Sequence, residues 1–167
     1  MKKILFTGLL LVLFAACKET TVRYTTSSPE IDVTKALVKD YVDGNWQRWA
    51  SHYADTAKIS HNSVESITPK QLQASFQNDI PNYSNYHFSD ENIFYEMIVD
   101  DKGDTWVYFW GTWIATLKDT NQTFSIPVHI ALKFVNNLIV EEYGYYSRTE
   151  IDAAILENDA LKNNITN

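Results

Sequence analysis

The sequence carries one cysteine, Cys17, among 167 residues. A lone thiol excludes an intrachain disulfide, a CxxC redox pair and a cysteine-ligated zinc site. Basic residues are also scarce: 14 Lys and Arg stand against 21 Asp and Glu, for a formal charge of −7. With no basic patch to neutralise phosphates, nucleic acid is not an expected partner. No apolar run reaches the roughly 20 residues that a membrane-spanning helix needs. GxSxG, GxxxxGKS/T and HExxH are all absent, and the histidines at 52, 61, 87 and 129 are not spaced as metal ligands. Nucleophilic, nucleotide and metal chemistry lose their usual signals, and no cofactor is implied. Internal repeats and low-complexity tracts are absent too.

What is present begins with MKKILFTGLLLVLFAAC: Lys2 and Lys3, mostly apolar residues from Ile4 to Ala16, then Cys17. The run is too short to span and reads as a secretory signal. Ala15-Ala16 before Cys17 resembles a bacterial lipobox, with Phe14 in place of the more usual aliphatic residue. That resemblance implies cleavage after Met1–Ala16, a diacylglycerol on the Cys17 thiol, and a location in the cell envelope, lipid-anchored to a bacterial membrane on its periplasmic side or at the cell surface. The alternative is a secreted protein with an incidental thiol. Cleavage removes two lysines and no acid, so the formal charge moves from −7 to −9. Attachment to a membrane must then come from the lipid and not from attraction to anionic headgroups. Residues 17–28, Ser/Thr-rich and polar, read as a flexible tether. Residues 29–150 form the expected domain, and 151–167 a tail that is part helical. With 45% hydrophobic and 14% aromatic residues, the chain can build one core.

Thr105–Ser147 dominates the pattern. TWVYFWGTWIATL, TFSIPVHIALKF and IVEEYGYYS are rich in β-branched and aromatic residues and are separated by turn residues, so they predict long antiparallel neighbours. In the middle strand Ile126, Val128, Ile130, Leu132 and Phe134 share a face that seeks a core. The first strand is apolar on both faces, which predicts helices on one side and another subunit on the other, hence a homodimer. Trp110 and Trp113 point to opposite faces, so only one of them can line a pocket.

Upstream, Ser28-Pro29-Glu30 signals a helix start, followed by Val33, Leu37, Val38 and Tyr41 at helical spacing and a stop at Gly44. Trp46, Trp49 and Tyr53 suggest a second short helix. Ala57–Asn62 alternates as a strand with His61 at its inner end. Thr68-Pro69-Lys70-Gln71 is a capping box opening a helix that buries Leu72 and Phe76. Asn82–Asn92 reads as a polar connection, and Ile93–Val99 as another strand.

Helix, helix, strand, helix and then a meander of long strands resembles the nuclear transport factor 2-like superfamily, in its branch of SnoaL-like cyclases and ketosteroid isomerase. YVDGNWQRWASHYADTAKISHN looks like that group's opening, HIALKFVNNLIVEEYGYYS like its close, and GTW in VYFWGTW like its Gly-Thr or Trp-Thr pair. The resemblance implies an α+β fold, a cone-like curved sheet wrapped around three N-terminal helices. It places His61 where ketosteroid isomerase has its catalytic aspartate, Leu37 at that enzyme's oxyanion-hole tyrosine and Ile130 at its protonated aspartate, so a steroid-isomerase mechanism is rejected. Gly144 falls near an aspartate of the cyclases. Glu142 is left as a possible acid–base partner of His61. Leu37, Tyr41, Trp49, Tyr53, Ile130 and Tyr146 are expected to wall one mostly apolar pocket with His61. Two readings follow: a binding domain for a small hydrophobic or aromatic molecule, or a cyclase, dehydratase or isomerase using His61 with Glu142.

Overall fold

A computed structural model describes residues 23–165. Cys17 and the signal segment lie outside the described residues. Helix α1 (Pro29–Val42) starts where the sequence places it: the Ser28 hydroxyl accepts from the Ile31 amide at 3.2 Å, Pro29 occupies the first turn, and Gly44 at φ 69° ends the run. Its most buried positions are Ile31, Thr34, Leu37 and Asp40, so the inward face is rotated from the Val33–Val38 stripe. Buried Asp40 is satisfied by Arg48 at 2.5 Å and His52 at 2.8 Å, which ties α1 to α2 (Trp46–Ser51).

The expected helical face Trp46–Trp49–Tyr53 is corrected at its end. Helix α2 stops at Ser51, and Tyr53 opens strand β2 (Tyr53–His61), four residues ahead of the expected start at Ala57. The cause is a pairing distant in sequence: Ile139 N donates to His52 O at 2.9 Å, and Tyr53 lies in register with Ile139. Tyr53 still packs on Trp49, ring to ring at 4.8 Å. Helix α3 (Pro69–Asp79) carries the capping box as read, with Thr68 N donating to Gln71 Oε1 and Gln71 N to Thr68 Oγ1.

The sheet runs β1 (Tyr24–Thr25), β4 (Phe94–Val99), β5 (Thr105–Leu117), β6 (Thr123–Val135), β7 (Leu138–Tyr146), β2. Strand β3 (Tyr83–Phe88) also pairs with β5, alongside Trp113–Leu117, while β4 takes Thr105–Trp110. The connection expected over Asn82–Asn92 therefore contains a strand. Its Ser and Asn content hides it, and the long β5 edge supplies the hydrogen bonds that its own composition does not favour. Where the tether was expected to reach the domain, Tyr24–Thr25 pairs with β4 and Arg23 donates to the Val99 carbonyl. Asn136 and Asn137, both at positive φ, turn β6 into β7. All neighbours are antiparallel except β2 and β7, which run parallel.

The concave side of this curved α+β sheet holds two core clusters. One joins Ile31, Trp49, Ile59 and Leu132; the other joins Trp113, Phe124, Ile126 and Ile151. Tyr41 packs against both. Ile151 belongs to α4 (Thr149–Ile165), which closes the second cluster and is held by Arg148, whose guanidinium donates to both Asp79 oxygens at 2.6 and 3.0 Å.

Candidate functional site

Strand β7 turns Glu142, Gly144 and Tyr146 to one face, two residues apart. Strand β2 runs beside it in parallel, with His61 in register with Gly144. The missing side chain at Gly144 leaves room for the imidazole to lie across β7: a Cβ there would meet His61 Cδ2 at 2.5 Å and Cγ and Nε2 at 2.8 Å. Lying there, the ring reaches both neighbours of the glycine. His61 Nε2 is 2.7 Å from Glu142 Oε1, and Nδ1 is 2.9 Å from the Tyr146 hydroxyl. The Tyr53 hydroxyl completes the row by donating to Glu142 Oε2 at 2.5 Å.

Burial decides the proton inventory. Burial, then the nearby Glu142 carboxylate, pushes the Tyr53 phenol well above its ordinary range, and burial pushes Tyr146 up to about 12. Both hydroxyls stay protonated at neutral pH and act as donors. Nε2 donates to the Glu142 carboxylate, which can only accept, and in that tautomer Nδ1 accepts from the Tyr146 O–H. The row Tyr146, His61, Glu142, Tyr53 is fully hydrogen-bonded, and Glu142 is 4% exposed.

Asn62, expected as the last residue of the strand, instead follows β2 in the left-handed region at φ 49°. Its side-chain amide replaces the lost ladder, accepting from Tyr146 N at 3.2 Å and donating to Tyr146 O at 2.6 Å. It thereby holds the backbone that carries the Tyr146 phenol. An asparagine closing an alternating run, a residue type that tolerates the left-handed region, is the only trace of this in the sequence.

The row forms the polar wall of a cavity of about 110 Å³. Leu37, Tyr41, Trp49, Tyr53, His61, Ile130, Glu142 and Tyr146 all line it. The sequence reading named every one of these eight. Trp113, of the two β5 tryptophans of which only one can line a pocket, lines it as well, as do Phe109, Phe88 and the Asp79–Arg148 pair, which the sequence does not single out. Glu141 and Glu142 separate: Glu142 is in the row, while Glu141 lies near Lys133 at 3.6 Å. Trp113 faces inward and Trp110 outward. His129 is outside as well, stacked on Trp110 with centroids 3.8 Å apart. Among the described residues no group of three or more His, Cys, Asp or Glu side chains could hold a metal ion.

No family model matches the sequence, and no curated protein does. Solved structures do resemble it. A candidate SnoaL-like polyketide cyclase from Jannaschia sp. CCS1 superposes with a TM-score of 0.62 at 11% identity, over 83% of this chain and 96% of its own. BvnE pinacolase from Penicillium brevicompactum gives 0.62 at 12%, over 83% and 99%. A protein with a ketosteroid isomerase-like fold from Catenulispora acidiphila, solved with trimethylamine, gives 0.56 at 14%, over 70% and 85%. Such identities speak to architecture and leave activity to the side chains. A mixed curved sheet closing on N-terminal helices, a cavity on its concave side and these neighbours together establish that the chain has the nuclear transport factor 2-like fold, in the form seen in SnoaL-like and ketosteroid isomerase-like structures.

Proposed function

We propose that the protein is a lipid-anchored pocket protein of the bacterial cell envelope that holds a small, largely apolar molecule. The cavity carries this reading: about 110 Å³, walled mostly by aromatic and aliphatic side chains, with polar groups in the Tyr146–His61–Glu142–Tyr53 row, the Asp79–Arg148 pair and Thr34. An engineered apolar cavity of about 150 Å³ in another protein takes up benzene, so an occupant of about one six-membered ring is the expected size. The trimethylamine in the Catenulispora structure supports small-molecule capture on this fold. Titrating the full-length protein with toluene, cyclohexanone and acetophenone while following tryptophan fluorescence tests it. Saturable quenching that disappears when the cavity is filled by Ile130→Trp is expected; no saturable response to any of the three sinks the reading. His61→Ala should leave the fold intact and weaken binding only several-fold. If it unfolds the domain, the residue is structural.

The satisfied row favours a second reading, an acid–base cyclase, dehydratase or isomerase. Both imidazole nitrogens are engaged, so His61 exchanges protons with a ligand through Tyr146: the hydroxyl takes a proton from the ligand as it passes its own to Nδ1, and Glu142 stabilises the imidazolium. Deuterium wash-in next to the carbonyl of cyclohexanone, lost in both His61→Ala and Tyr146→Phe, distinguishes catalysis from binding.

The anchor on Cys17 and a homodimer belong to the same proposal. Phe94, Trp110, His129 and Tyr145 lie in register across β4, β5, β6 and β7 on the outer face. Trp110 is 46% exposed and Tyr145 55%. A second copy of the chain, face to face, would cover this row.

A further inference from the structure

The charges on the cavity wall do not balance. Its acids are Asp79 and Glu142, and Arg148 is the one lysine or arginine among the residues that line it. That guanidinium is shared: it donates to Asp79 at 2.6 and 3.0 Å and to Asp152 at 2.8 Å, so a single cation answers two carboxylates. Glu142 has no such partner. It accepts from the Tyr53 hydroxyl and from His61 Nε2, and among the described residues no lysine or arginine pairs with it. Neutral donors stabilise a carboxylate without cancelling its charge, and an uncancelled charge is costly on a side chain that is only 5% exposed. A carboxylate has about four acceptor positions, of which these two bonds fill two. Glu142 lines the cavity, so its remaining surface and acceptor capacity are available to whatever occupies the space.

We propose, building on the pocket reading above, that the occupant is a small organic amine bound as its ammonium ion, with an apolar body of about one ring and its N–H groups on the Glu142 carboxylate. The ammonium cancels the charge that the protein leaves open and donates where the carboxylate still accepts. The rest of the wall suits the same ion: Tyr41, Trp49, Phe76, Phe88, Phe109 and Trp113 line it, and aromatic rings attract a cation in a way that aliphatic walls cannot. A carboxylate ligand would instead meet Glu142 and Asp79 as like charges. A hydrocarbon would leave the Glu142 charge as it is.

The test compares benzylamine, benzyl alcohol and ethylbenzene, which share one shape and differ only in an ammonium, hydroxyl or methyl end, by titrating the full-length protein at neutral pH and following tryptophan fluorescence. Benzylamine should bind at least about tenfold more tightly than benzyl alcohol, the worth of one hydrogen bond to a charged group. Glu142→Gln keeps an acceptor and removes the charge, and should bring the two affinities to within about twofold; saturable ethylbenzene binding by the variant shows that its cavity is intact, and without it the native comparison decides. Filling the cavity with Ile130→Trp should abolish benzylamine binding, which separates the cavity from acids elsewhere on the surface. Benzylamine binding no more tightly than benzyl alcohol means that Glu142 finds its cation within the protein, in a protonated His61, and overturns the ammonium. So does a preference that survives Glu142→Gln, or benzylamine binding that survives Ile130→Trp. Each of these leaves the pocket reading standing as long as ethylbenzene binds saturably. No saturable binding of any of the three probes overturns both.

Discussion

Gly144→Ala probes how the His61 row is held. The new methyl would lie 2.5 Å from Cδ2 and 2.8 Å from Cγ and Nε2 of His61, closer than side-chain carbons approach, and Cγ cannot swing away without moving the whole ring. The imidazole must therefore lift off β7 and give up its bonds to Glu142 at 2.7 Å and Tyr146 at 2.9 Å. The bond to the carboxylate is worth about 2 kcal/mol and the neutral one about 1 kcal/mol. Removing a glycine from a strand returns roughly 0.5–1 kcal/mol. The net loss is about 2 kcal/mol, or about 1 M in urea midpoint for a domain with a slope near 2 kcal/mol/M. Urea unfolding followed by tryptophan fluorescence measures it. The decisive comparison is a cycle with His61→Ala, where the ring is absent and Gly144→Ala should be neutral to within about 0.5 kcal/mol. An equal cost in both backgrounds would falsify the account of Gly144 as the seat of the imidazole.

Three further outcomes are expected. Burial alone would raise the Asp40 pKa, but the hydrogen bonds from Arg48 and His52 outweigh it and hold the carboxyl below its ordinary 3.8. Below that value the unfolded chain takes up protons first, so the contribution is complete above the ordinary carboxyl range and is lost as pH falls through the folded value; the stability advantage of the native protein over Asp40→Asn should shrink below about pH 4, and a difference independent of pH counts against it. Trp110→Glu places a charge in the outer aromatic row and should convert a dimer to a monomer by light scattering, whereas a native protein of monomer mass across a wide concentration range removes the dimer. Cys17→Ser should release the protein from the membrane fraction; identical partitioning of the two forms removes the anchor.

The sequence by itself determined whatever depends on near neighbours. Ser28 and Thr68 cap their helices because a hydroxyl finds the amide three residues away, and the alternation of β6 and β7 sorts their side chains onto two faces wherever the strands are placed. The eight cavity residues named in advance came from such periodicities laid on a familiar order of elements. Only the tertiary structure decided the parallel register of β2 against β7, which sets His61 over Gly144 and between Glu142 and Tyr146. The same is true of β3, where Tyr83-Ser84-Asn85-Tyr86-His87-Phe88 becomes a strand because the β5 edge offers partners. Tyr53 left its helical face because Ile139, far along the chain, completes the ladder there. Trp113 shows the limit most plainly. Its place on the inner face of a strand follows from alternation, but the burial of its indole nitrogen with no hydrogen-bond partner of normal geometry among the described residues depends on everything packed around it, and no local pattern records that.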